Sequence, residues 1–312
     1  MVSPDIDVVD GRAAVGALEL CFQTRGSRAD PALLLIMGFG AQLTAWDESF
    51  VDAFVRRGFF VIRYDHRDVG LSSGVVGVPD LEACNRGDHS SVPYTLFDMA
   101  ADAAGLLDAL DVRAAHVLGA SMGGMIAQAL AIDHPGRTLS LASVMSTTGD
   151  PGLPAASAEA AAAAVRARAA RTRAESIEAT VDAARVYAGS RFPFDAESVR
   201  RRAAEALDRA DRPEGRLRHV AAVRTASNRT AALGRVRVPT VVVHGTEDPL
   251  LPIECGRATA AAIPGARFVP VPGLGHELPD GVQQWLVELV VANATGGGRD
   301  PDCKWGTTPF SV

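Results

Sequence analysis

The sequence is almost without lysine: Lys304 is the only one, so arginine supplies 30 of the 31 basic residues. Against 37 acidic residues this leaves a formal net charge of -6. A chain of that sign lacks the concentrated positive field that nucleic-acid phosphates require. No apolar run approaches the roughly 18 to 20 residues that cross a bilayer, and Met1 to Gly11 carries Asp5, Asp7 and Asp10 without the basic stretch that opens a secretory signal. Cys21, Cys84, Cys255 and Cys303 are scattered and form no C-x-x-C pair, which removes the usual zinc and dithiol patterns. Together these absences predict a soluble, cytoplasmic protein with reduced thiols, no metal and no cofactor. Neither a nucleic-acid partner nor a membrane span is expected.

What is present is ordinary globular material, with 47% apolar and 22% charged residues in 312. That length exceeds the ~100 to 200 residues of a common domain, which suggests one main core carrying an insertion. Leu18 to Thr24 and Leu33 to Met37 read as neighbouring strands joined through the turn-forming stretch Arg25 to Pro31. Helical spacing over Trp46 to Arg57 precedes a β-branched and aromatic strand, Phe59 to Tyr64. Thr95 and Asp98 form a capping box opening a helix over Leu96 to Leu110, and Ala115 to Leu118 follows as a buried strand. A helix to His134 and a strand over Leu139 to Met145 continue the rhythm, which implies right-handed βαβ units and a parallel sheet. After Asp150 the chain turns Ala- and Arg-rich with no strand-like run, and its arginines, such as Arg200 to Arg202, read as a solvated helix face. Strands return at Thr240 to Val243 and Arg267 to Val271, with helices near Ile253 to Ile263 and over Val282 to Ala292. Expected boundaries are therefore a core over 1–148 and 236–294, a helical cap over 149–235 and a flexible tail over 295–312.

Gly119-Ala120-Ser121-Met122-Gly123 fits G-x-S-x-G between a strand and a helix, the setting in which a tight turn presents a nucleophilic serine. A serine hydroxyl needs a base within hydrogen-bond reach, oriented in turn by a third group. His276 lies in the loop after the last strand, at the sheet edge shared with Ser121, whereas His66, His89, His116, His134, His219 and His244 sit in structural settings. Asp248 follows the penultimate strand and completes the chain order Ser, Asp, His, with Asp150 and Glu247 as competing acids. The backbone N–H groups of Met122 and of Phe39, in Met37-Gly38-Phe39-Gly40, are the candidate oxyanion donors. Tyr64 to Ser72 reads as architectural, with Asp65 and Arg67 tying its loop to neighbours. Tyr187, Phe192 and Phe194 in the insertion are candidates to line a substrate pocket.

Over residues 15–292 these motifs resemble the α/β-hydrolase superfamily. Tyr64 to Ser72 together with the Ser121 turn, and Met37 where many members carry histidine, resemble more narrowly the branch that contains aclacinomycin methylesterase and the LipG-type esterases. The resemblance implies an α/β-hydrolase fold, with a mostly parallel central sheet, helices on both faces and a helical cap. It also implies carboxylic ester hydrolysis of a small molecule through Ser121, Asp248 and His276. A methyl ester of a polyketide-like product is one substrate it suggests. A cofactor-free perhydrolase or haloperoxidase, a lactonase and a carbon–carbon bond hydrolase would need the same constellation; the intact Ser, Asp and His argue against a purely binding role.

Overall fold

The computed structural model describes residues 6–296. Cys303, and the part of the expected tail from residue 297 onward, lie outside the described residues. One eight-stranded sheet organises the fold, with β1 (Val8–Val15), β2 (Leu18–Arg25), β3 (Ala32–Ile36), β4 (Phe60–Tyr64), β5 (Ala115–Ala120), β6 (Thr138–Val144), β7 (Thr240–Gly245) and β8 (Arg267–Val271). Their order is β1-β2-β4-β3-β5-β6-β7-β8; β1 and β2 pair antiparallel, β2 pairs antiparallel with β4, and every other pairing is parallel.

One expectation needs correction, and one strand has no counterpart in the sequence pattern. β2 and β3 are not neighbours, because β4 lies between them. The crossover through α1 (Glu48–Val55) brings β4 back beside β3 in parallel, and β4's other edge takes β2. β1 itself carries no strand signal: its Asp10-Gly11-Arg12 centre breaks apolar alternation, and the strand forms as an exposed edge against β2.

Alternation along the strands sorts the core into two layers. Leu34, Ile36, Ile62 and Val117 pack on one face against α3 (Leu96–Ala109) and α4 (Met122–Asp133), through Met99, Leu106, Ile126 and Leu130. Leu33, Leu35, Val61 and Leu118 pack on the other face against Phe50 and Phe54 of α1 and Leu286 and Val290 of α11 (Asp280–Thr295). The capping box of Thr95 and Asp98 opens α3 as its sequence suggests. Cys21, Cys84 and Cys255 are buried free thiols. No helix among the described residues is long and apolar enough to cross a membrane.

Between β6 and β7 the chain runs through α5 (Ala158–Ala169), α6 (Arg173–Tyr187), α7 (Ala196–Arg209), α8 (Pro213–Arg224) and α9 (Thr230–Leu233). Little apolar material anchors the first three: α5 buries only Ala160 and Ala163, α6 only Ile177, Val181 and Ala183, and α7 nothing. α8 and α9 bury more, including Val220, Ala221, Ala222 and Leu233, and several arginines add directed bonds to the core, which corrects the reading of this segment's arginines as solvated. Arg201 and Arg202 are exposed as expected. Arg209, however, reaches Asp65 at 2.7 Å, and Arg218 grips Asp68 with two hydrogen bonds of 2.8 Å. Arg212 donates to the Gly70 carbonyl, and the fully buried Arg229 donates to the Thr147 carbonyl and to Gln128. Spacing along a helix cannot separate these arginines from solvated ones, because their acceptors lie far away in sequence.

Candidate active site

The turn from β5 into α4 holds Ser121 at φ 56° and ψ -121°, a conformation that costs a side-chain-bearing residue about 1 to 3 kcal/mol. Surrounding contacts enforce it. A Cβ on Gly119 would lie 2.3 Å from the Gly123 carbonyl oxygen, and one on Gly123 would lie 2.0 Å from that of Ile36, so only glycine fits at either position. The Ser121 N–H donates to the Val144 carbonyl, and the Ser146 hydroxyl donates to the Ser121 carbonyl at 2.8 Å.

Parallel β5, β7 and β8 deliver Ser121, Asp248 and His276 to the same sheet edge. His276 Nε2 lies 2.9 Å from Ser121 Oγ, and His276 Nδ1 lies 2.7 Å from Asp248 Oδ2. The two distances describe one hydrogen-bonded chain from hydroxyl through imidazole to carboxylate. Asp248 is buried; the Leu250 and Leu251 N–H groups, each at 2.9 Å, donate to its other oxygen. Burial alone would raise the Asp248 pKa, but His276, His244 and these N–H donors together hold the carboxyl well below the ordinary range. It is therefore an anion at neutral pH, able to hold a proton on Nδ1 and leave Nε2 as the acceptor.

The competing acids are engaged elsewhere: Asp150 accepts from the Gly152 N–H, and Glu247 accepts from the backbone and hydroxyl of Ser190. Near Ser121, Gly38 brings the loop after β3 so close that a Cβ there would sit 3.2 Å from Ser121 Cβ. Phe39 follows, with its ring partly exposed, and Met122 opens α4. Of the pocket candidates, Tyr187 is near the site: its ring centroid is 6.2 Å from that of His276, and its carbonyl accepts the His276 N–H at 2.8 Å. Phe192 packs against the core beside Gly281, and the Phe194 ring lies beneath the Arg185 guanidinium.

Three histidines read as structural support this centre. His244 Nε2 sits 3.4 Å from Asp248 Oδ2 and donates to the Leu251 carbonyl. His66 donates to the Met37 carbonyl, and His219 accepts the Gly40 N–H. Their sequence settings, a loop, an insertion helix and a strand end, carry no signal of those contacts. The expected ties from Tyr64 to Ser72 are present: Asp65 accepts from the Leu43 and Leu71 N–H groups, and Arg67 makes two bonds to Asp102.

The profile of the α/β hydrolase fold family matches residues 31–280. Rhodomycin D methylesterase of Streptomyces peucetius is 35% identical over 286 residues, 86% of this chain and 92% of that protein. Among solved structures, the enol-lactonase of Burkholderia xenovorans LB400 superposes with a TM-score of 0.71 at 27% identity, covering 91% of this chain and all of its own. A thermophilic esterase of Thermogutta terrifontis does so with a TM-score of 0.68 at 25% identity, covering 92% of this chain and all of its own. The chain belongs to the α/β-hydrolase fold family, as a relative of the rhodomycin D methylesterases.

Proposed function

We propose that this chain is a carboxylic ester hydrolase working by acyl transfer, with Ser121 as nucleophile, His276 as general base and acid, and Asp248 as the orienting carboxylate. The observation that carries this reading is the continuous hydrogen-bonded chain of 2.9 and 2.7 Å through His276. Ser121 Oγ attacks the ester carbonyl as its proton passes to His276 Nε2. Asp248 stabilises the resulting imidazolium, and the N–H groups of Phe39 and Met122 receive the charge that develops on the carbonyl oxygen. Collapse expels the alcohol, protonated by His276; water then repeats the sequence on the acyl-serine and releases the acid.

Kinship with a methylesterase over 92% of that protein's length favours an ester, and within that class we place a methyl ester of a polyketide-like ring system first. Likeness to an enol-lactonase makes a lactone, the cyclic form of the same bond, the second reading. Residues 149–235 act as a cap over Ser121, with Tyr187 facing the substrate. Phe192 and Phe194, engaged by the core and by Arg185, serve the packing of that cap.

The test compares the two carboxylates. Asp248→Asn should lower kcat on a p-nitrophenyl ester by about 10⁴-fold, the loss seen when a triad acid becomes an amide. Asp150→Asn should stay within about twofold; the reverse pattern would reassign the acid. Turnover of methyl esters above lactones would favour the first substrate reading, and the opposite order the second.

A further inference from the structure

The loop that follows β3 is gripped from two sides. At its start, His66 Nε2 lies 2.7 Å from the Met37 carbonyl oxygen. At its end, the Gly40 N–H points to His219 Nδ1 at 3.3 Å, and His219 Nε2 lies 3.0 Å from the Arg67 carbonyl oxygen. Gly38, which lies against Ser121, and Phe39 hang between these two attachments. Both histidines are fully enclosed: His66 is 1% exposed and His219 0%. Their rings meet edge to face at 5.9 Å, and the Phe39 ring meets that of His219 in the same way at 6.1 Å.

The chemistry of these partners leaves His219 one state. An N–H donor from Gly40 requires a lone pair on Nδ1, and a carbonyl acceptor at Arg67 requires the proton on Nε2. Burial, with the His66 ring beside it, pushes the His219 pKa down to about 3, so the ring stays neutral at ordinary pH. His219 belongs to α8, whose neighbouring Arg218 is locked onto Asp68 of the core, so the imidazole is held on a fixed support.

We propose that His219 is a positioning residue for the oxyanion loop: its Nδ1 fixes the Gly40 N–H, and thereby the Phe39 N–H, at the place where negative charge develops. It touches neither substrate nor reacting atoms. Through it the helical insertion sets the geometry of a donor in the core. This inference rests on the assignment of Phe39 as an oxyanion donor. Displacing a donor by ~1 Å can lower rate by about 10²-fold, and removing one by about 10² to 10³-fold, so the effect should fall on kcat.

The test contrasts two polar replacements. In His219→Asn the side-chain carbonyl sits near the old Nδ1 position and can still accept from Gly40. In His219→Gln the amide reaches the old Nε2 position, satisfying Arg67 while leaving the Gly40 N–H without its partner. Turnover of p-nitrophenyl butyrate is measured per active site titrated with a fluorophosphonate, which removes differences in folded fraction. Expected is a kcat for His219→Gln lowered about 10- to 100-fold with KM within about twofold, and a kcat for His219→Asn restored to within about threefold of the parent. Equal kcat values, or Gln exceeding Asn, would overturn the proposal, because a purely space-filling role has no reason to favour the Nδ1 acceptor. A measurement on the unmodified chain covers failure of either variant to fold: ¹⁵N spectra should show His219 protonated at Nε2 and bare at Nδ1 at neutral pH, and a proton on Nδ1 would overturn it equally. If Ser121→Ala kept full turnover, the esterase reading itself would fall, an outcome separable from any of these.

Discussion

The sheet and the helical insertion are held by different forces. Every residue of β3, β4 and β7 is buried, and the apolar faces of β3 and β4 stack against helices on both sides; α7 in the insertion buries no residue at all. From the end of α7 onward the insertion is fastened by charged and polar bonds to the segment after β4, with Arg209 on Asp65, Arg212 on the Gly70 carbonyl and Arg218 on Asp68, beside apolar burial of Val220, Ala221, Ala222 and Leu233. Apolar burial is non-directional and tolerates many registers, whereas a bidentate guanidinium–carboxylate pair admits one. α7 is thus little buried yet sharply placed, and the placement matters because α8, held by the same bonds, carries His219 to the loop beside Ser121.

That contrast can be broken directly. Arg218→Met leaves Asp68, which is fully buried, with only Tyr94 and the Val75 N–H as donors among the described residues, and should destabilise by about 3 to 5 kcal/mol in a denaturant titration. The double change Arg218→Met with Asp68→Leu should recover much of that loss, since an apolar pair removes the stranded charge. If the single and double variants were equally unstable, the ion pair would not be the fastening.

Acid provides a smaller and graded effect. Burial opposes ionisation of Asp68, but Arg218, the Val75 N–H and Tyr94 outweigh it and hold its pKa below the ordinary value; Asp248 is depressed likewise. Since the unfolded chain binds these protons more readily, with a pKa of about 3.9, the stabilisation is fully present above about pH 5 and is lost as pH falls through the lower folded values. Melting temperature should therefore fall as pH is lowered below about 5, most steeply below about pH 4, and less steeply in the Arg218→Met, Asp68→Leu variant. An unchanged slope would assign the acid sensitivity elsewhere.

The smallest effect is expected from the exposed arginines that most resemble the buried ones in sequence. Arg201→Ala should change stability by no more than about 0.5 kcal/mol, as surface charges generally do. A loss comparable with that of Arg218→Met would erase the distinction between fastening and solvated arginines.

Legibility in the sequence followed the same division. Strand periodicity located seven of the eight strands because apolar alternation is a local property, and the strand-turn-helix setting of Ser121 placed it at the edge where Asp248 and His276 also arrive. β1 escaped because an exposed edge strand needs no apolar pattern, and the position of β4 between β2 and β3 escaped because pairing is decided by the crossover, far from either strand. Arg229, buried without a carboxylate among its hydrogen-bond partners, and His219, with both nitrogens engaged at residues 152 and 179 positions away, show the limit most sharply. A polar side chain's role depends on its partners, and these partners are distant in the chain.

The central claim is that Ser121 forms an acyl-enzyme. Rapid quenching of the reaction with a p-nitrophenyl ester, followed by peptide mass spectrometry, should find the acyl group on Ser121. Hydrolysis proceeding with Ser121 unmodified at every time point, or undiminished in Ser121→Ala, would contradict it.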